Sequence, residues 1–370
     1  MRYTCDYVRK GGESMKKVPY NPDELRIIGE FLNTTVSFTP HTYKYNTPIT
    51  VLENFQAAVN SSEHLWMPTT NDIVNIESRV NLDHIARAEV RDLGPEQPEE
   101  EKGGPDLFGI EWVFVPTVGG SMVKPGEPTL DDANEWYDKI KFPDIDAIDW
   151  DSVAELNAPF RDETRVIGCC FQNGLFERLI SFMDFQGAAL AMIDEDQKEA
   201  IHALYDKLAD MYIAMIQKYI DTIDVKEVLF HDDWGSQRAP FFSLNTCMEM
   251  VVPYMKKISD FVHSKGLIFQ LHSCGKNELL VPAMIAAGVD VWGGQPMNDK
   301  EMLYKKYGKD IILGIEVPEL AEDATDEEID AAAKAFVEKY KEYPIVAIVR
   351  MASQKFVEAL YRHSRIAICG

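Results

Sequence analysis

From residue 165 onward the chain alternates apolar runs of strand length with amphipathic helical stretches, and this alternation constrains the fold more than any other feature. RVIGCCFQ (165–172), VKEVLFHDD (225–233), GLIFQLHSC (266–274), VDVWGGQ (289–295), DIILGIEV (310–317) and PIVAIVR (344–350) read as strands. Each is nearly continuously apolar, as a parallel strand covered on both faces must be. Helices are expected from near Asp194, from Met248 to Ser264, before Gly288, and at the chain end through about Ser364. Another opens at Thr325, where Glu328 three residues later completes a capping-box pattern. Upstream, Ile49, Leu52, Phe55, Ala58 and Val59 fall at helical spacing within residues 48–60. A short strand is expected from Leu65, and the aromatic, β-branched run from Phe108 to Pro116 reads as a further strand. Additional strands between 70 and 130 would complete the eight that close a barrel. No glycine-rich phosphate loop follows any strand, which argues against a dinucleotide-binding sheet. The expected fold class is therefore α/β, a (β/α)8 TIM barrel over residues 48–370 with an N-terminal extension over residues 1–47.

Charge and composition remove several function classes. The chain holds 37 Lys and Arg against 61 Asp and Glu, a net charge of −24. Such a surface repels phosphates, so nucleic acid is excluded as a partner. A hydrophobic content of 46% is that of a globular protein, not a disordered one. No run reaches the ~18 apolar residues of a membrane span, and the opening residues lack a secretory apolar stretch. The six cysteines (Cys5, Cys169, Cys170, Cys247, Cys274 and Cys369) show no CxxC spacing. That usage fits a reducing cytoplasm better than a disulfide framework. Residues 94–105, with glycine, proline and glutamate together, read as a solvated loop. The acidic stretch before Ile329 reads as a helix start, where carboxylates meet the positive end of the dipole.

In a barrel of this kind the chemistry lies at the C-terminal strand ends. Those ends carry Gln172, Asn173 and Gly174, then His231, Asp232, Asp233 and Trp234, then His272, Ser273 and Cys274, then Gln295 and Glu316. His272 and Cys274 stand two apart on one strand, so both side chains project to the same side. Imidazole and thiolate are good zinc ligands, and one rigid strand holds both at little entropic cost. The plainer alternative is a buried cysteine beside a hydrogen-bonded histidine. Asp232 and Asp233 are adjacent and diverge, one toward the barrel mouth and one capping the following loop. His231 is expected to point away from the mouth. Cys169, Cys170 and Cys247 are expected in the core.

Several of these segments together resemble the uroporphyrinogen decarboxylase superfamily, and within it the corrinoid-dependent methyltransferases. The pieces are PITVLENFQAAVN and LWMP, DLFGIEW, GEPTLDDANEWYDKIKFPDIDAIDW, CCFQNGLFERLISFMDFQGAALAMIDE, FHDDWGSQRAPFFS and LHSCGKNELLVPAMIAAGVDVWGGQ. The DDWGSQ and LHSCG elements are specific together, in order and spacing. The stretch from DLFG through KFP looks most like the methyltransferase components of anaerobic O-demethylases. No arginine-rich element like MRQAGRY occurs around residues 20–75, and with an acidic chain this counts against a porphyrin substrate.

The resemblance implies zinc-dependent transfer of a methyl group from an aryl methyl ether, a small-molecule donor, to the cob(I)alamin of a separate corrinoid protein. It implies zinc on His272 and Cys274, and Asp232 or Asp233 as a candidate acid at the ether oxygen. Phe171, Phe176 and Trp234 are candidate aromatic walls, with Asn173, Gln237 and Gln295 as further substrate contacts. Thiol-directed relatives add a second cysteine after the last strand, where this chain reads VRMASQ with Ser353. Glu316 or Asp232 are the candidates for a third ligand. The O-demethylase pattern Glu-x14-Glu-x20-His also occurs, as Glu327, Glu342 and His363. On one helix, however, the two glutamates would stand ~22 Å apart, too far to share an ion. A homodimer is compatible with this reading. The alternatives are a methylcobamide:thiol methyltransferase, a decarboxylase working without metal or corrinoid, and a barrel that binds a ligand without turnover.

Overall fold

A computed structural model of the chain describes residues 18–34, 41–60, 63–76, 80–87, 102–117 and 120–370. Cys5 and the glutamates of 94–101 lie outside the described residues. The strands are β1 (Ile27–Leu32), β2 (His41–Tyr45), β3 (Ile73–Asn75), β4 (Gly103–Pro105), β5 (Glu111–Val115), β6 (Gly120–Val123), β7 (Val166–Phe171), β8 (Glu227–His231), β9 (Ile268–Ser273), β10 (Val291–Gly294), β11 (Ile312–Glu316) and β12 (Ile345–Ile348). The helices are α1 (Val51–Asn60), α2 (Leu82–Arg87), α3 (Trp136–Lys139), α4 (Trp150–Asn157), α5 (Leu175–Ala191), α6 (Lys198–Ile223), α7 (Leu244–Met250), α8 (Val252–Ser264), α9 (Val281–Ala286), α10 (Lys300–Tyr307), α11 (Asp326–Tyr340) and α12 (Gln354–Cys369).

Seven strands form one curled parallel sheet in the order β12-β11-β10-β9-β8-β7-β3, as the continuous apolar runs require. Its two edges approach each other. Thr69, just before β3, makes a parallel bridge to Ala347 of β12, and the Ala347 amide donates to the Pro68 carbonyl at 2.8 Å. The architecture is that of a (β/α)8-type barrel.

Two expected strands fall elsewhere. The Phe108–Pro116 run supplies β5, which pairs antiparallel with β4 and β6 in a separate three-stranded sheet. Only Trp112 of β5 is buried, so the segment lacks the two covered faces of a barrel strand. The run from Leu65 is buried but not a strand. The Asn54 side chain accepts from the Leu65 and Trp66 amides and donates to the Trp66 carbonyl, taking the bonds that a neighbouring strand would have made. The helix expected over Met248–Ser264 is two, α7 and α8, because Pro253 opens the second. The Thr325–Glu328 capping box forms as the spacing predicts.

Strand parity decides what faces the barrel axis. Val166, Ile268, Val291, Ile312 and Val346 form an inner cluster closed by Phe55 of α1. Four of the five are the first residues of their strands, so α1 plugs the N-terminal mouth. The alternate residues, among them Cys169, Phe171, Val228, Phe230, Phe269, Leu271 and Trp292, pack in the larger layer between sheet and helices. Among the described residues no helix is long and apolar enough to cross a membrane.

Candidate functional site

The same parity carries upward to the C-terminal mouth. Phe230 faces the helices, so His231 one step on faces the axis. β8 and β9 pair with His231 opposite His272, and their rings stack at 4.7 Å and 22°. Two residues further on, Asp233 and Cys274 keep the same side. One ligand-type atom from each of His231, Asp233, His272 and Cys274 lies within 4.8 Å of all the others. The His272 Nε2 is 3.4 Å from the Cys274 Sγ, and the His231 Nε2 is 3.8 Å from the Asp233 Oδ1.

Three of the four members are held from behind. The Asp233 Oδ1 accepts from the Cys274 amide at 2.7 Å. The His231 Nδ1 meets the Glu177 Oε2 at 3.0 Å, and the Glu177 Oε1 pairs with Arg87 at 2.8 Å. The Gln295 Nε2 lies 3.5 Å from the Cys274 Sγ, while its Oε1 accepts from the Gly275 amide at 2.8 Å. Gly275 has φ +92°, and a Cβ there would sit 2.2 Å from the Gly235 carbonyl oxygen, so only glycine lets these loops cross.

Burial alone would lower the His231 imidazole, but Glu177, Cys274 and Asp233 together hold it well above its ordinary value. Burial pushes the Cys274 thiol up, with the Asp233 charge adding to it against the His231 contact. Asp233 is held low, because the charge of His231 and the Cys274 amide outweigh its burial. Two imidazoles, a carboxylate and a thiol form a mixed nitrogen, oxygen and sulfur set of the kind zinc accepts. Magnesium or calcium would want oxygen alone. The residues present therefore fit a zinc-type ion.

The other residues singled out from sequence take different places. His231 joins the cluster, contrary to expectation, because two-residue parity puts it on the side of Asp233. Asp232 does not join it. Its carboxylate accepts from the amides of Leu175, Phe176 and Glu177 and from the Trp234 indole, at 2.9–3.2 Å. It thus satisfies the open first turn of α5, whose preceding residue, Gly174, has no side chain to do so. Burial and the nearby Glu177 push the Asp232 carboxyl up to about 7, against the lowering effect of these donors.

Phe171, Phe176 and Trp234 are fully buried in the layer between sheet and helices. They pack against Tyr212, Phe241 and Phe242 in that layer. Asn173 is fully buried, and its carbonyl accepts from the Tyr212 hydroxyl. Gln237 is exposed in the loop after Trp234. Glu316 ends β11 half-buried, outside the four-residue group, with its charge acting on Lys300. The pattern Glu327, Glu342 and His363 assembles no ligand set: the His363 Nε2 pairs with Asp330 at 2.8 Å, and Glu342 lies beyond the end of α11.

A family model described as uroporphyrinogen decarboxylase (URO-D) matches residues 105–347, a span that contains all four cluster residues. A solved methyltransferase from Methanosarcina mazei shares the fold with a TM-score of 0.53, at 14% identity over 84% of this chain and 97% of that one. A sugar phosphate isomerase/epimerase from Parabacteroides distasonis matches with a TM-score of 0.30, at 10% identity over 60% of this chain and 80% of that one. No curated protein matches the chain.

Proposed function

This chain belongs to the uroporphyrinogen decarboxylase family, and from that footing we propose that it transfers a methyl group from an aryl methyl ether to the cob(I)alamin of a separate corrinoid protein. His231, Asp233, His272 and Cys274 are the residues that would hold zinc. The observation that supports this reading is the convergence of these four donors at the C-terminal mouth. Decarboxylation without a metal has no use for such a set. A set with a single thiol also differs from the two-cysteine arrangement that the thiol-directed resemblance implies. Fewer thiolates leave a metal more electron-poor, which suits an ether oxygen.

Held by these residues, zinc would supply Lewis acidity to offset the negative charge that grows on oxygen as phenolate departs. In the overall transfer the methyl carbon–oxygen bond breaks and a carbon–cobalt bond forms. The bonding pair of the ether stays on oxygen, which ends as phenol after taking a proton from solvent. The protein's own groups orient the donors. The Cys274 amide fixes one Asp233 oxygen, and Gln295 is anchored by Gly275 beside the thiol. Asp232 keeps the loop and helix in place, and its oxygens are taken by four donors.

The test is to incubate the zinc-loaded chain with a reduced corrinoid protein and a panel of methoxylated aromatics. Demethylated phenol and methylcobamide in equal amounts are expected, both lost in His272→Ala and Cys274→Ala. Absence of phenol from every ether, or decarboxylation of a porphyrinogen by metal-free protein, overturns the reading.

A further inference from the structure

The four-residue cluster has a charged support on its buried side. Glu177 is the third residue of α5, and its amide donates to Asp232, so its backbone position is fixed by the strand end itself. Its two carboxylate oxygens have separate partners: Oε1 pairs with Arg87 at 2.8 Å, and Oε2 meets the His231 Nδ1 at 3.0 Å. The Glu177 and Arg87 side chains are 5% and 15% exposed, which shields the contact from solvent. The Arg87 guanidinium in turn lies 5.0 Å from the Trp112 ring centroid. An ion pair serving stability alone would need only the Arg87 contact. The second oxygen is instead aimed at one nitrogen of an imidazole whose other nitrogen faces Asp233.

We propose that Glu177, held by Arg87, is a positioning residue for the metal centre: it takes the His231 Nδ1 proton as a hydrogen bond and so turns the Nε2 lone pair toward Asp233, His272 and Cys274. A carboxylate can only accept when ionised, so a proton sits on Nδ1, and Nε2 is the nitrogen that gives up its proton when a metal binds. Carboxylate partners of this kind fix both ring orientation and tautomer. The inference rests on the reading of the cluster as a metal site.

The discriminating variant is Glu177→Gln. With Arg87 facing the amide oxygen, the NH2 group faces His231. The ring must then accept at Nδ1 and carry its proton on Nε2, where it blocks the metal. Cobalt(II) is the probe, read by its visible absorption and by competition with a chelator. The wild type is expected to bind with the intense bands of a four-coordinate ion. In Glu177→Gln, affinity is expected to fall by at least ~10-fold with weakened bands in protein that is still folded under the binding conditions, although loss of the charge facing Arg87 lowers its unfolding midpoint. Equal affinity and spectrum in both proteins overturn the inference and leave the metal reading standing. Failure of the wild type to bind cobalt or zinc overturns the metal reading itself. Should Glu177→Gln not fold, 15N-histidine spectra of zinc-loaded wild type decide. A protected Nδ1 proton on His231, with zinc on Nε2, supports the proposal, and zinc on Nδ1 overturns it.

Discussion

Asp232 and Asp233 are neighbours in sequence, yet the structure gives them separable consequences. Asp232 accepts four N–H groups, three of them the otherwise open amides of the first turn of α5. In Asp232→Asn one oxygen can keep the donors now on Oδ2, while the new NH2 faces the Glu177 amide donor to donor. That leaves one buried N–H unpaired, at about 1–3 kcal/mol. Against this, the neutral amide escapes the burial penalty that raises the carboxyl to about 7. That relief is of the same order as the lost bond, so Asp232→Asn is expected to lose at most about 2 kcal/mol, against about 4 kcal/mol or more in Asp232→Ala, where all four donors are left bare.

The assay is urea unfolding of the metal-free proteins, with cobalt affinity measured separately on each folded variant. Asp232→Ala should lower the unfolding midpoint, and Asp232→Asn less so, while the cobalt affinity of each falls by less than the ~10-fold expected of a direct support to a ligand. Asp233→Asn should do the reverse, because its oxygen lies within the cluster and its backbone contact is a single bond from Cys274. An Asp232→Asn protein as stable as wild type but without activity would refute the reasoning, since Asp232 would then act in the chemistry and not in holding α5.

Three further outcomes follow from features away from the site. Lys300 is buried, and its Nζ donates to the Gly294 and Gly314 carbonyls at 2.7 Å, just past the last paired residues of β10 and β11. Lys300→Met leaves both carbonyls without this donor and should lower unfolding stability by about 2–4 kcal/mol in urea titrations. Asp224 ends α6 in the left-handed region at φ 62° and ψ 49°, so Asp224→Gly should raise stability by about 0.5–1 kcal/mol, visible in the same titrations. Burial lowers the His263 imidazole, but Asp290 at 2.8 Å and Asp260 outweigh it and Lys256, and the group is held above its ordinary value. A raised histidine stabilises fully below its unfolded value near 6.5, and that contribution fades as pH climbs through the higher folded value. With a third of the ring in solvent it amounts to about 0.5 kcal/mol, and Asp290→Asn should flatten that part of the stability–pH curve.

Much of this molecule was legible in its sequence, for a physical reason: a strand buried on both faces must be apolar at every position. That is why β7 to β12 can be read within a few residues, and why α11 begins where its capping box does. The early segments resist the same treatment. Leu65–Met67 is apolar enough for a strand, but Asn54, eleven residues upstream, takes its backbone bonds. The Phe108–Pro116 run has strand composition, and nothing local says that its partners are β4 and β6. At the site, the His272–Cys274 pair is visible because two-residue spacing on a strand needs no knowledge of the fold. His231 could have been found by the same rule, since Val228 and Phe230 belong to the helix-facing layer and leave Leu229, His231 and Asp233 for the axis. Glu177 and Arg87 carried no such signal: a charged residue in a first helical turn usually faces solvent, and only the tertiary fold brings it beneath a strand end.

The first turn of α5 links the buried and axial sides of the β8 end. Three consecutive amides, Leu175 to Glu177, converge on Asp232, the Glu177 side chain reaches His231, and buried Arg178 pairs with Asp83 and Asp106. Asp232 faces the helices and His231 faces the axis, so this turn touches both sides of the β8 end through side chains. A disturbance of the Asp232 carboxylate should therefore reach His231 through Glu177, although that carboxylate's own hydrogen bonds go to the start of α5 and to Trp234. If so, the stability effects of Asp232→Asn and Glu177→Gln will not add. A double-mutant cycle should show an interaction larger than the ~0.5 kcal/mol scatter of independent sites. Additivity within that scatter would mean that the helix start and the imidazole support are separate devices that merely share a residue.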